Sequence, residues 1–210
     1  MIEIFDCEQG TPEWFSCRAG VPTASEFSTV MAKGKDGGVS ITRKKYLYRL
    51  AGEILTGEPA PEGYSNDFMV RGHELEDEAR NLYAFMLDVE PQRVGFLRNG
   101  AKGCSPDSLL GTDAGLEIKV AIPAVQIERL QRGTLPPEHR AQVLGSMWVA
   151  ERATWDFVSY CPKLPPLILT VPRDEAYIAQ LSKAVDAFND ELESVVASIR
   201  TYENFKAQAA

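Results

Sequence analysis

The chain has 210 residues, 44% apolar and 25% charged, the composition of one folded globular domain over residues 1–210 and not of a disordered chain. No run approaches the ~20 apolar residues that a membrane span needs, and the acidic first ten residues lack a basic, apolar leader, so a cytoplasmic protein is expected. Its 22 basic and 30 acidic residues leave a net charge of -8, which weighs against nucleic-acid binding unless a local basic groove sits within an acidic exterior.

The first half reads as helical. Thr11-Pro12 places a cap and a first-turn proline before a short helix that ends at Arg18, with Gly20 as the stop. Thr23-Ala24-Ser25-Glu26 fits a capping box opening a helix to about Lys33. Further helices are predicted over about Thr42 to Leu55 and Ser65 to Met86. In the latter, Phe68, Leu75, Ala79, Leu82 and Met86 make an apolar stripe, with Gly72 and Glu76 at its edge.

The middle changes period. Short strands are expected over Arg93 to Arg98, Gly103 to Leu109, Leu116 to Ala121, Thr154 to Tyr160 and Leu167 to Val171. Helices at Pro123 to Gln131 and Pro137 to Glu151 interrupt them, and a long amphipathic helix through Tyr177, Leu181, Phe188 and Leu192 closes the chain. This order predicts an α/β domain with a central mixed sheet flanked by helices. Cys7, Cys17, Cys104 and Cys161 form no C-x-x-C pair and read as reduced thiols, and with only 2 histidines a zinc site is not expected.

Ser105-Pro106-Asp107 followed by Glu117-Ile118-Lys119 is the most informative segment. Side chains alternate on a strand, so Glu117 and Lys119 share a face while Ile118 points to the core. A hairpin through Leu110 to Gly115 would bring Asp107 to the same point. Two carboxylates there suit Mg²⁺, which takes hard oxygen ligands, keeps waters and shares phosphate oxygens. Such a metal polarises a phosphodiester and acidifies its bound water, and Lys119 is placed to orient or deprotonate that water.

Three further groups surround this pattern. Glu76 reads either as an ordinary i,i+4 partner of Arg80 on a solvated face or as a cleft-facing carboxylate. Gln142, on a helix face with His139 and Ser146, reads as a satisfied hydrogen-bonder or a group that positions water or contacts DNA. Ser25 lies in the first turn of a helix, where an anion is favoured, and Arg18 could fork onto the same phosphate.

Together, Trp14…Arg18-Ala19-Gly20…Thr23-Ala24-Ser25-Glu26, Gly72-x-x-x-Glu76, Ser105-Pro106-Asp107, Glu117-x-Lys119 and Gln142…Ser146-Met147-Trp148 resemble the lambda-type alkaline exonucleases. These are YqaJ-like viral recombinases of the PD-(D/E)xK nuclease superfamily, of phage or prophage origin. The resemblance implies a restriction-endonuclease-like core and a processive, Mg²⁺-dependent 5′→3′ exonuclease on linear double-stranded DNA, with Mn²⁺ able to substitute. It implies release of 5′ mononucleotides by two-metal hydrolysis, leaving 3′ single strand for recombination by annealing. Asp107, Glu117 and the Ile118 carbonyl become metal ligands, Lys119 the residue that activates water, Glu76 an added acid and Gln142 the glutamine beside the scissile phosphate. Arg18, Thr23, Ser25 and Ser105 become the 5′-phosphate pocket, and Met69 an apolar wedge at the duplex end. A toroidal homotrimer and a single-strand annealing protein as partner are implied too, with Arg43, Lys44, Lys45 and Arg49 as candidates for the DNA-facing surface. The alternatives are a PD-(D/E)xK endonuclease, a single-strand nuclease, or a non-catalytic module that binds DNA ends.

Overall fold

The structure, a computed structural model, describes the backbone of residues 1–35, 37–60 and 67–208, and their side chains except 67–74 and 203–208. Strand β1 (Ile2–Phe5) precedes helix α1 (Pro12–Arg18), a 3₁₀ turn (Ala24–Glu26) and α2 (Phe27–Met31). Helices α3 (Ile41–Thr56) and α4 (Asp67–Leu87) lead to β2 (Phe96–Asn99), β3 (Gly103–Cys104), β4 (Ser108–Leu110) and β5 (Ala114–Val120). After α5 (Pro123–Arg132) and α6 (Pro137–Ala150) come β6 (Thr154–Tyr160), β7 (Leu167–Pro172) and α7 (Glu175–Gln208).

The strands form two sheets, an antiparallel β1-β2-β3 and a four-stranded β4-β5-β6-β7. Within the second, β5 and β6 are parallel and both outer pairs antiparallel, so the sheet is mixed. The parallel pair needs a long crossover, which α5 and α6 supply. Alternation on β5 divides its residues between two layers. Leu116 and Ile118 pack with Val158, Tyr160, Ala79 and Tyr83 on the α4 side. On the other side, Trp155 and Phe157 join Phe27, Leu47, Leu144, Met147, Leu181 and Phe188, where α2, α3, α6 and α7 converge. Burying each such large side chain contributes about 1.5–3 kcal/mol.

Several expectations are corrected. The predicted strand from Gly103 to Leu109 is two strands in different sheets, broken at Ser105-Pro106-Asp107, because Pro106 has no N–H for a ladder. β2 begins at Phe96 and not at Arg93, while β1, a four-residue edge strand, was not predicted. The capping box does not form. Thr23 N–H donates to Tyr46 Oη at 3.0 Å, the Thr23 hydroxyl meets Ser25 Oγ at 3.2 Å, and the Glu26 carboxylate pairs with Arg49 at 3.4 Å. With the Thr23 N–H already used, the Glu26 side chain has nothing to reach back to. On α4 the buried stripe runs through Ala79 and Tyr83, and Met86 is exposed. Phe68, Met69 and Gly72 lie outside the residues whose side chains are described.

Candidate active site

The hairpin of β4 and β5 sets the geometry. Ser108 pairs with Leu116, and Asp107 N–H donates to the Leu116 carbonyl at 3.2 Å, so Asp107 lies across from Glu117. Asp107 Oδ2 in turn accepts the Ile118 N–H at 2.5 Å. Glu117, only 1% exposed, uses one oxygen twice: Oε1 accepts from Lys119 Nζ and from Gln142 Nε2, each at 2.5 Å. Helix α6 supplies Gln142 from above the face that β5 turns toward it. Glu76, on α4, is close enough for its charge to act on Asp107, Glu117 and Lys119 alike. Asp107, Glu117, Lys119 and Gln142 are thus one cluster, and the charge of Glu76 reaches it from α4.

Burial and like charge set the electrostatics of this cluster. Burial, then repulsion from Glu117 and Glu76, raises Asp107 well above the usual carboxylate range. Burial also raises Glu117, with Lys119 opposing and Glu76 adding to the shift. For Lys119, burial pulls the ammonium down, but Glu117 and Asp107 outweigh it and the net shift is upward.

Glu117 Oε2 is buried and has no hydrogen-bond partner, an arrangement that costs stability unless a donor or a cation completes it. Among the described residues no group of three or more His, Cys, Asp or Glu side chains is placed to hold a metal ion. The donor set at hand is the two carboxylates of Asp107 and Glu117. That set fits Mg²⁺, which keeps several waters and binds through one or two carboxylates, and not a zinc cage.

A second polar group lies beside the first. Arg18 Nη1 donates to Ser105 Oγ at 2.8 Å, and its guanidinium lies 3.8 Å from the centre of the Trp14 ring. Trp14 Nε1 donates to the same Ser105 Oγ and to the Gly95 carbonyl, both at 3.0 Å. Thr23 bridges in parallel to Gly103, two residues before Ser105, and holds the exposed Ser25 by its hydroxyl. Burial lowers the Arg18 pKa from its ordinary value, with Tyr46 opposing. Burial raises the pKa of the Cys104 thiol, with the charge of Glu117 adding to the shift and that of Arg18 opposing it. Gly20 lets the chain turn between Arg18 and Thr23: its φ is +72°, and a Cβ would come 2.6 Å from Ile54 Cγ1.

Trp14 carried no role in the sequence reading, although it lies one helical turn before Arg18 and the i,i+4 spacing allows the stack. The wall formed by Arg129 and His139 was not anticipated either. Arg129 Nη1 donates to Ser159 Oγ at 3.0 Å, and Nη2 lies 2.9 Å from His139 Nε2. Of the basic residues on α3, Arg43 is tied to Glu191 at 2.6 Å, whereas Lys44, Lys45 and Arg49 are exposed. Among the described residues no helix is long and apolar enough to cross a membrane.

The comparisons agree with this architecture. Residues 13–153 match the YqaJ-like viral recombinase domain. The chain is similar to an alkaline exonuclease, LHK-Exo, from Laribacter hongkongensis, with 32% identity, 95% of this chain and 100% of that chain covered, and a TM-score of 0.82. The structure of LHK-Exo in complex with dAMP matches with 33% identity, the same 95% and 100% coverage and a TM-score of 0.83. A phage-related exonuclease from Haemophilus somnus 129PT, at 16% identity, shares the fold over 85% of this chain and 96% of that one, with a TM-score of 0.62. No curated protein matches significantly. The chain belongs to the YqaJ-like viral recombinase family of lambda-type alkaline exonucleases, with the PD-(D/E)xK nuclease fold.

Proposed function

We propose that this nuclease is a Mg²⁺-dependent, processive 5′→3′ exonuclease on linear double-stranded DNA, releasing 5′ mononucleotides and leaving 3′ single strand for recombination by annealing. The observation that carries the reading is the unpartnered buried Glu117 Oε2 within the Asp107, Glu117 and Lys119 cluster. The Arg18–Ser105 pair adds a cation held two residues before Asp107 along the chain.

Bound Mg²⁺, held by Asp107, Glu117 and the Ile118 carbonyl with Glu76 adding charge, would polarise the phosphodiester and acidify water in a two-metal hydrolysis, and Mn²⁺ is expected to substitute. The chain's own residues do the rest. Lys119 Nζ, held as an ammonium beside Glu117, orients the attacking water by donating a hydrogen bond to it. Gln142 fixes Glu117 through Oε1 and lies beside the scissile phosphate. Arg18 and Ser25 grip the 5′ phosphate, with Thr23 and Ser105 setting their positions, so the terminal nucleotide is registered against the acidic cluster. Met69 is assigned as the wedge that opens the duplex end.

The working assembly is proposed to be a toroidal homotrimer acting beside a single-strand annealing protein, in the cytoplasm of a host carrying a phage or prophage. A ring with a basic channel reconciles DNA binding with a net charge of -8.

The test uses duplex DNA labelled at one end, with Mg²⁺, comparing 5′-phosphate ends, 5′-hydroxyl ends and a covalently closed circle. Mononucleotides released from the 5′-phosphorylated strand, with the circle intact, are expected. Cutting of the circle would make the chain an endonuclease. Binding without cleavage would make it an end-binding module.

A further inference from the structure

An i,i+4 Glu–Arg pair on a solvated helix face contributes little, and the sequence alone assigns no more than that to Arg80. The structure gives the pair a different setting. The Arg80 side chain is 8% exposed and that of Glu76 23%. The guanidinium spends three donors at once: Nη2 on Glu76 Oε1 at 2.5 Å, Nη1 on Asp77 Oδ1 at 2.6 Å and Nε on Ser108 Oγ at 3.1 Å. Ser108 is fully buried, follows Asp107 directly, and its hydroxyl donates a hydrogen bond to the Asp107 backbone carbonyl at 2.5 Å. Asp77 is held from outside by Arg93 as well.

One side chain therefore grips both Glu76, whose charge reaches Asp107 and Glu117, and Ser108, the residue next to Asp107. It does so from α4, across the gap to β4, where no backbone ladder joins the two elements. A planar fork can serve three acceptors in fixed directions, which a lysine ammonium on a flexible stem cannot reproduce.

We propose that Arg80 is a positioning residue for the divalent-cation site: it fixes the Glu76 carboxylate in register with Asp107 through Ser108, and thereby sets the site's affinity for Mg²⁺. This inference rests on the reading of the acidic cluster as a Mg²⁺ site. Groups that orient metal ligands from outside cost about 10–100-fold in metal affinity when lost.

The test is calorimetric titration of Mg²⁺ alone into the full chain, without DNA, for the wild type, Arg80→Gln, Arg80→Lys and Ser108→Ala. Arg80→Gln is expected to weaken Mg²⁺ binding about tenfold or more, with Arg80→Lys between it and the wild type. The half-activating Mg²⁺ concentration for DNA hydrolysis should move in parallel, with kcat recovering at saturating Mg²⁺ and KM for DNA unchanged. A residue needed only for folding would lower the melting temperature without that shift. A wild-type isotherm for folded Arg80→Gln overturns the role of Arg80 while the Mg²⁺ site stands. No Mg²⁺ binding by the wild type overturns both. Should Arg80→Gln not fold, Ser108→Ala decides, since it removes one acceptor and no charge: weaker Mg²⁺ binding supports the inference and an unchanged isotherm overturns it.

Discussion

The carboxylate of Asp107 accepts the backbone N–H of Ile118 at 2.5 Å, across the β4–β5 hairpin. This bond holds Asp107 beside Glu117 through the backbone of the residue between Glu117 and Lys119, so the acidic cluster is assembled by strand register before any ligand arrives. An asparagine at 107 keeps an acceptor for that N–H and loses the negative charge. Asp107→Asn should therefore fold with a melting temperature at or above that of the wild type, because it relieves repulsion from Glu117 and Glu76. Its turnover should fall at least about a hundredfold, the loss expected on removing one preorganised electrostatic group. Melting curves and release of nucleotides from labelled duplex check the two halves separately.

Arg18 should discriminate DNA ends. Its guanidinium is stacked on Trp14 and bonded to Ser105, so its position is fixed without DNA. A hydrogen bond to a charged group contributes about 1.5–3 kcal/mol, roughly a ten- to hundredfold effect. Arg18→Ala should slow digestion by that factor on 5′-phosphorylated ends and far less on 5′-hydroxyl ends. Equal losses on both substrates, in the same initial-rate assay, would remove Arg18 from the phosphate pocket. Trp14→Ala should reproduce part of the effect, because it releases both Arg18 and Ser105.

Much of this arrangement was legible in the chain, and what was not has definite physical causes. Helices α3, α4, α5, α6 and α7 and strands β5 and β6 announce themselves by period, since each presents a stripe or an alternating face to one core. The four-residue β1 does not, because its pairing with β2 is a long-range event that local pattern cannot carry. Thr23 to Glu26 has the letters of a capping box, yet Tyr46 and Arg49, both on α3, take the groups that would close it. The cluster itself was readable because Asp107, Glu117 and Lys119 depend only on a hairpin and alternation. The burial of Arg80 was not, since its i,i+4 spacing to Glu76 is the same on a wet face and a dry one.

His139 supplies a prediction about acid stability. Its ring stacks on Phe157 with centroids 5.3 Å apart and meets Arg129 at 2.9 Å. Burial, with the charges of Lys119 and Arg129, lowers its pKa from 6.5 to about 4, against the weaker pull of Glu138. The unfolded chain therefore takes up this proton at a higher pH than the folded one. The stability that the neutral ring contributes is present above pH 6.5 and is lost as the pH falls toward 4. His139→Gln retains an acceptor for Arg129 and does not titrate. Denaturant unfolding of wild type and variant at matched pH values should show a stability difference that shifts in favour of the variant between pH 6.5 and 4. Parallel curves across that window would exclude His139 as the group responsible.

Gly115 tests how tightly the strand that carries the acids is seated. A Cβ there would lie 2.4 Å from Cη2 and Cζ3 of Trp155, which is fully buried and paired with Gly115 in the β5–β6 register. An indole locked in the core cannot move aside as a flexible chain end would, so β5 must shift or Trp155 must leave its rotamer. Overpacking of this kind costs about 1–3 kcal/mol, and in a protein of this size each kcal/mol lowers the melting temperature by about 2–4 °C. Gly115→Ala should thus melt several degrees below the wild type. It should also lose turnover beyond what stability explains at a temperature where it is fully folded, because Glu117 and Lys119 lie two and four residues along the same strand. Wild-type turnover in a protein that melts lower would mean that β5 absorbs the strain before it reaches Glu117.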